Sequence, residues 1–71
     1  MKNSFMYIVY ASDTIIGVHT SLENAAASIG IFPSTLESVY PPANASQKWV
    51  EPKTPYSIRE YKVGVNLEGG E

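Results

Sequence analysis

The sequence predicts a small α+β domain: a β-hairpin, a helix-turn-helix-like pair of helices and a closing β-strand, in the order ββααβ. Three observations carry that expectation. Two short runs rich in β-branched and aromatic residues, 5–11 and 14–19, flank the polar pair Ser12-Asp13. A stretch with helical apolar spacing is broken at Gly30 and ended by Pro41-Pro42. A last strand-like run, Tyr56 to Val65, precedes a Gly- and Glu-rich end.

Phe5 to Ala11 is too short for a useful helix and reads as a strand. Ser12-Asp13 suits a tight turn, although it lacks the glycine that favours two-residue hairpins. Thr14 to His19 is the second strand, with Gly17 marking a bulge or a close backbone approach. A lone hairpin is marginal in water, so another element must cover one face. Thr20 and Glu23 have the spacing of a capping box. Behind them Leu22, Ala25, Ala26 and Ile29 form a narrow helical stripe, and Gly30 supplies a left-handed stop. Pro33 fits a first helical turn, and Leu36, Val39 and Tyr40 fall three and four apart. The two prolines at 41 and 42 then end the second helix.

Residues 43–55 read as an ordered loop around Trp49, a costly ring to leave in water. In the final strand Tyr56 and Ile58 share one face, whereas Tyr61, Val63 and Val65 share the other. That change of phase around Arg59-Glu60 predicts a bulge or an edge position. On this reading residues 1–66 are one compact domain and 67–71 a flexible tail.

Composition narrows the function classes. A chain of 71 residues makes one domain, and at that size only about 60% of the unfolded surface is buried. With no Cys and one His, a disulfide framework and a thiolate zinc site are both excluded. No cofactor or metal is expected. The longest apolar run, Phe5 to Ala11, is far too short to span a bilayer, and the N-terminus lacks a signal-peptide core. The expectation is a cytoplasmic protein with no membrane partner. A net charge of -2, from seven acids and five bases, argues against strong phosphate binding. The bases are uneven, however: Lys48, Lys53, Arg59 and Lys62 cluster in the last third.

The segment from 21 to 40 is the most patterned. Ala26 stands four residues before Gly30, where a second helix would need a small residue to cross closely. Ala25, Ile29, Ile31, Leu36 and Val39 take the positions that bury between two such helices. The stretch Ala26 to Leu36 resembles helix-turn-helix segments of the form A-x-x-x-G-I-x-x-S-T-L. With its flanking strands, nearly the whole chain is similar to the small DNA-binding module of intron-encoded homing endonucleases. It is also similar to short phage-encoded proteins that join a hairpin to a helix-turn-helix and a last strand. That resemblance implies a phage-type DNA-binding or regulatory protein in an infected host cell, with duplex DNA as partner. Its second helix would read the major groove through Ser34, Glu37 and Ser38, with Phe32 and Pro33 also outward. Lys48, Lys53 and Arg59 would supply phosphate contacts. The pattern departs from such readers in having Phe32 in place of a polar cap and no Arg, Lys, Asn or Gln on the second helix.

A second reading keeps the same helices but gives them a protein partner. Phe32, Tyr40 and Trp49 would then be exposed anchors of an inhibitor or adaptor acting on a host or defence protein. A homodimer is a third option at this size. Catalysis is not expected. His19 has no acid at ligand spacing, Asp13 and Glu23 are explained as turn and cap, and Ser34-Thr35 has no base to activate it. Tyr7 and Val9 are expected in the core.

Overall fold

The computed structural model describes residues 4–63. Five strands, β1 (Ser4–Ala11), β2 (Thr14–His19), β3 (Glu37–Val39), β4 (Gln47–Val50) and β5 (Tyr56–Val63), form one sheet. Their order is β2-β1-β5-β4-β3, and every neighbouring pair runs antiparallel. One helix, α1 (Leu22–Ser28), and a short 3-10 turn, Pro33–Thr35, link β2 to β3. The architecture is predominantly β, and the expected ββααβ fold with its helix pair is overturned.

The hairpin forms as its residue types require. β1 and β2 pair from Tyr7 opposite His19 to Ala11 opposite Thr14. Ser12 takes the positive φ of 55° that the two-residue turn needs, a position where glycine is the usual choice. The register slips between Val9 and Tyr10, so that Ile16 is the extra residue of a bulge beside Gly17. Gly17 is also a close approach, because a Cβ there would sit 3.1 Å from His19 Nε2.

The first helix is present, with its start moved by one residue. Ser21, not Thr20, is the N-cap, and its Oγ accepts the Asn24 N–H at 3.0 Å. The stop is a Schellman motif: Gly30, at φ 73°, donates to the Ala27 carbonyl, and Ile31 donates to that of Ala26. Ala25 and Ala26 face the sheet and are fully buried against Val9 and Ile58. Tyr7, Leu22, Ile29, Leu36 and Trp49 complete this core.

The second helix does not form. Pro33 starts a turn of only three residues, and Leu36 is already extended at ψ 144°. Ser34, Thr35, Ser38, Val39 and Tyr40 are all weak helix formers, and Val and Tyr favour strands. Glu37–Val39 instead finds backbone partners on β4, with Ser38 opposite Trp49. The spacing of Leu36 and Val39 fits a turn followed by a strand as well as it fits a helix. The region 43–55 contains β4 rather than only loop.

β5 is neither bulged nor at an edge. Its pairing with β1 runs unbroken from Ser4 opposite Val63 to Ala11 opposite Tyr56, and it lies at the centre of the sheet. The apparent change of phase arises because the strand buries side chains on both faces: Ile58 towards α1 and Tyr61 on the opposite side. The expected tail, 67–71, and the end of the last strand beyond Val63 lie outside the described residues.

Candidate functional site

With the second helix gone, the residues assigned to it take up other positions. Ser34 lies in the exposed 3-10 turn. Glu37 and Ser38 are consecutive on β3 and so point to opposite faces of the sheet. Ser38 shares the helix-covered face with Trp49 and accepts a hydrogen bond from Gln47 Nε2. Glu37 shares the other face with Val50. Lys48 and Arg59 stand directly opposite each other on β4 and β5. Lys53 lies in the turn between those strands, where its backbone N–H donates to Glu51 Oε1 at 2.8 Å. The structure therefore brings Glu37, Lys48 and Arg59 onto one face and separates Ser34, Ser38 and Lys53 from them. No reading helix presents the set to a groove.

The aromatic candidates separate as well. Trp49 is half-buried in the core, its ring centroid 6.2 Å from that of Tyr7 at a tilt of 40°. Phe32 is 76% exposed just before the 3-10 turn, and Tyr40 is 96% exposed just after β3. Beside Tyr40, an open groove of about 490 Å³ is lined by Ser38, Val39, Tyr40, Pro41 and Gln47. Among the described residues β3 has β4 on one side only, which leaves its other side as a sheet edge. A short edge strand, a wholly exposed ring and a polar-apolar groove thus meet at one end of the sheet. The sequence signal for this site is the Tyr40-Pro41-Pro42 run, which closes an edge strand rather than a helix.

Two ionisable groups away from the groove are shifted by their surroundings. Burial and the nearby Glu60 carboxylate push the Tyr7 phenol up to about 12, and its hydroxyl donates to Glu60 Oε2 at 2.8 Å. The backbone N–H of Lys53, which donates to it, holds the Glu51 carboxyl below its ordinary range. The sign for Tyr7 follows from its raised value. Its contribution to stability is complete below pH 10 and is lost as pH rises towards about 12. Burial raises the Tyr10 phenol as well, so alkaline titration of tyrosinate absorbance is expected to lose one tyrosine's amplitude near 12 in Tyr7→Phe, together with the part of alkaline unfolding it causes. Full high-pH amplitude in Tyr7→Phe would contradict the raised Tyr7 phenol, and an unchanged Tyr7 step in Glu60→Gln would contradict its pairing with Glu60.

Among the described residues, no group of three or more His, Asp or Glu side chains could hold a metal ion. No helix there is long and apolar enough to cross a membrane. The chain matches no protein-family model, no curated protein and no solved structure.

Proposed function

We propose that this chain is a small non-catalytic module that binds another protein through the β3 end of its sheet, with Tyr40 as anchor. The observation that carries the reading is Tyr40, which keeps 96% of its surface in water beside the groove at a free strand edge. A large ring left in solvent by a fold with so small a core gains from contact with a partner, and tyrosine is enriched among interface hot spots. Phe32 is a second exposed ring on the chain leading to the same strand. A free edge also offers backbone N–H and C=O groups to an added strand from the partner.

Duplex DNA is the weaker partner. That reading depended on an outward helix at 33–40, where the chain has a turn and a strand. The net charge of -2 adds no attraction to phosphate. A cytoplasmic setting rests on composition, and a phage-infected host with a host or defence protein as partner rests on the family resemblance alone.

Affinity capture from lysate of the encoding organism, with the captured protein then purified and titrated, tests the proposal. Tyr40→Ala is expected to weaken the purified pair by about 2 kcal/mol, roughly thirtyfold, with unchanged thermal stability. Full affinity in both Tyr40→Ala and Phe32→Ala would contradict the reading. So would retardation of duplex DNA at low ionic strength without any protein partner.

A further inference from the structure

Helix α1 covers one face of the sheet only, the face of Val9 and Ile58. On the opposite face the strand register sets Val18, Ile8, Arg59, Lys48 and Val39 in one row across all five strands. Ile15 lies beside this row at the β2 end, and both Ile15 and Val18 are more than half exposed. The 3-10 turn packs on α1, not here.

The centre of this face carries an unusual charge arrangement. Lys48 and Arg59 are directly opposite on neighbouring strands, which puts their Cβ atoms roughly 5 Å apart, and like charges so placed are unfavourable. Arg59 is fixed in position: its guanidinium lies 4.2 Å from the centroid of the Tyr10 ring. Tyr10 and Tyr61 are 8% and 6% exposed, with their hydroxyls 3.4 Å apart. Arg59 Nε is buried with no hydrogen-bond partner among the described residues. The acids do little to offset the pair. Glu60 faces the other side and is engaged by Tyr7, and among the described residues Glu37, diagonal to Lys48, is the one acid that the strand register places on this face.

We infer that this helix-free face is a docking surface for an acidic and apolar segment of a partner polypeptide. Its carboxylates would lie over Lys48 and Arg59, and its apolar side chains over Ile15 and Val18. The inference rests on the reading of the chain as a protein-binding module but uses a different surface from Tyr40. Carboxylates relieve the repulsion between the two cations, and the exposed isoleucine and valine give up water only to apolar groups. A nucleic acid would supply the charge but leave Ile15 and Val18 unpaired, and the Tyr10 ring is already stacked by Arg59 rather than open to a base.

Fluorescence anisotropy of the full chain tests this with three labelled probes: a peptide alternating Glu and Leu, one alternating Lys and Leu, and oligothymidylate. The Glu-Leu peptide is expected to bind and to weaken with salt, and the other two are expected to bind far less. Lys48→Glu and Ile15→Ser should each weaken Glu-Leu binding by about tenfold. Lys62→Glu makes the same charge change on the helix-covered side, opposite Phe5, and should change it less than about twofold. Equal losses for Lys48→Glu and Lys62→Glu would reduce the effect to net charge and overturn the inference. Absence of Glu-Leu binding, or tighter binding of oligothymidylate, would overturn it too. Tyr40→Ala should leave peptide affinity unchanged. If it alone weakens the peptide, this face is the wrong surface and the Tyr40 site stands.

Discussion

Ile58→Ala is expected to cost about 2–5 kcal/mol of folding stability, the range for emptying a fully buried isoleucine site. Ile58 is the centre of the fold. It sits on the middle strand, opposite Val9 on β1 and Trp49 on β4, beneath Ala25 and Ala26. Ile58 and Val9 are the largest side chains that are completely buried, so few neighbours can move in to fill the space. A small domain has a total stability near the low end of about 5–15 kcal/mol. The substitution therefore consumes a large share of it and lowers the melting temperature by roughly 4–8 °C for each kcal/mol lost. Denaturant titration of the two proteins gives the difference directly. A loss below about 0.5 kcal/mol, the usual range at surface positions, would mean that Ile58 is not in the core.

Ala26→Leu is expected to destabilise by overpacking, about 1–3 kcal/mol or more. Ala25 and Ala26 have no exposed surface, and they are the side chains through which α1 rests on the sheet. A longer side chain there pushes the helix away from Val9 and Ile58. Ala27→Leu is the matched comparison, since Ala27 is exposed on the same helix and leucine is nearly as good a helix former as alanine. That variant should stay within about 0.5 kcal/mol of the parent. Equal losses at the two positions would point to helix propensity rather than packing. A harmless Ala26→Leu would remove the helix from the sheet altogether.

Ala26 also shows what the sequence made legible and what it did not. Its small size signals a close approach, and that is what the structure contains. The partner is a β-sheet, however, and not a second helix. Spacing along one segment records that a side chain must be small but not what crosses it. The hairpin, α1 and the stop at Gly30 are readable because each is decided locally, by alternation, by helical apolar spacing or by a positive φ, although the cap expected at Thr20 is made by Ser21. The segment 33–40 was not. Pro33, Leu36 and Val39 satisfy both a helix and a turn-strand sequence, and the choice is made by hydrogen bonds to β4, a partner about ten residues further along. β4 itself escaped detection because four residues between prolines carry too little periodicity.

The site residues divide along the same line. Tyr40 and Phe32 could be named from the sequence as exposed rings next to prolines. The pairing of Lys48 with Arg59, and the stacking of Arg59 on Tyr10, depend on register between distant strands. The phase change in β5 was visible, but it has a different cause: one strand with an apolar side chain on each face. A two-layer expectation turns such a strand into a bulge, whereas a strand that buries side chains on both of its faces needs none.

Residues 33–40 hold a turn and an edge strand, so the partner proposed above would meet a sheet and not a reading helix. Backbone nuclear magnetic resonance of the intact protein tests it most directly. Strand-type carbon shifts over Glu37–Val39 and cross-strand contacts between Ser38 and Trp49 are expected. Helix-type shifts from Pro33 to Tyr40, with an unbroken run of sequential amide contacts and none to Trp49, would contradict it.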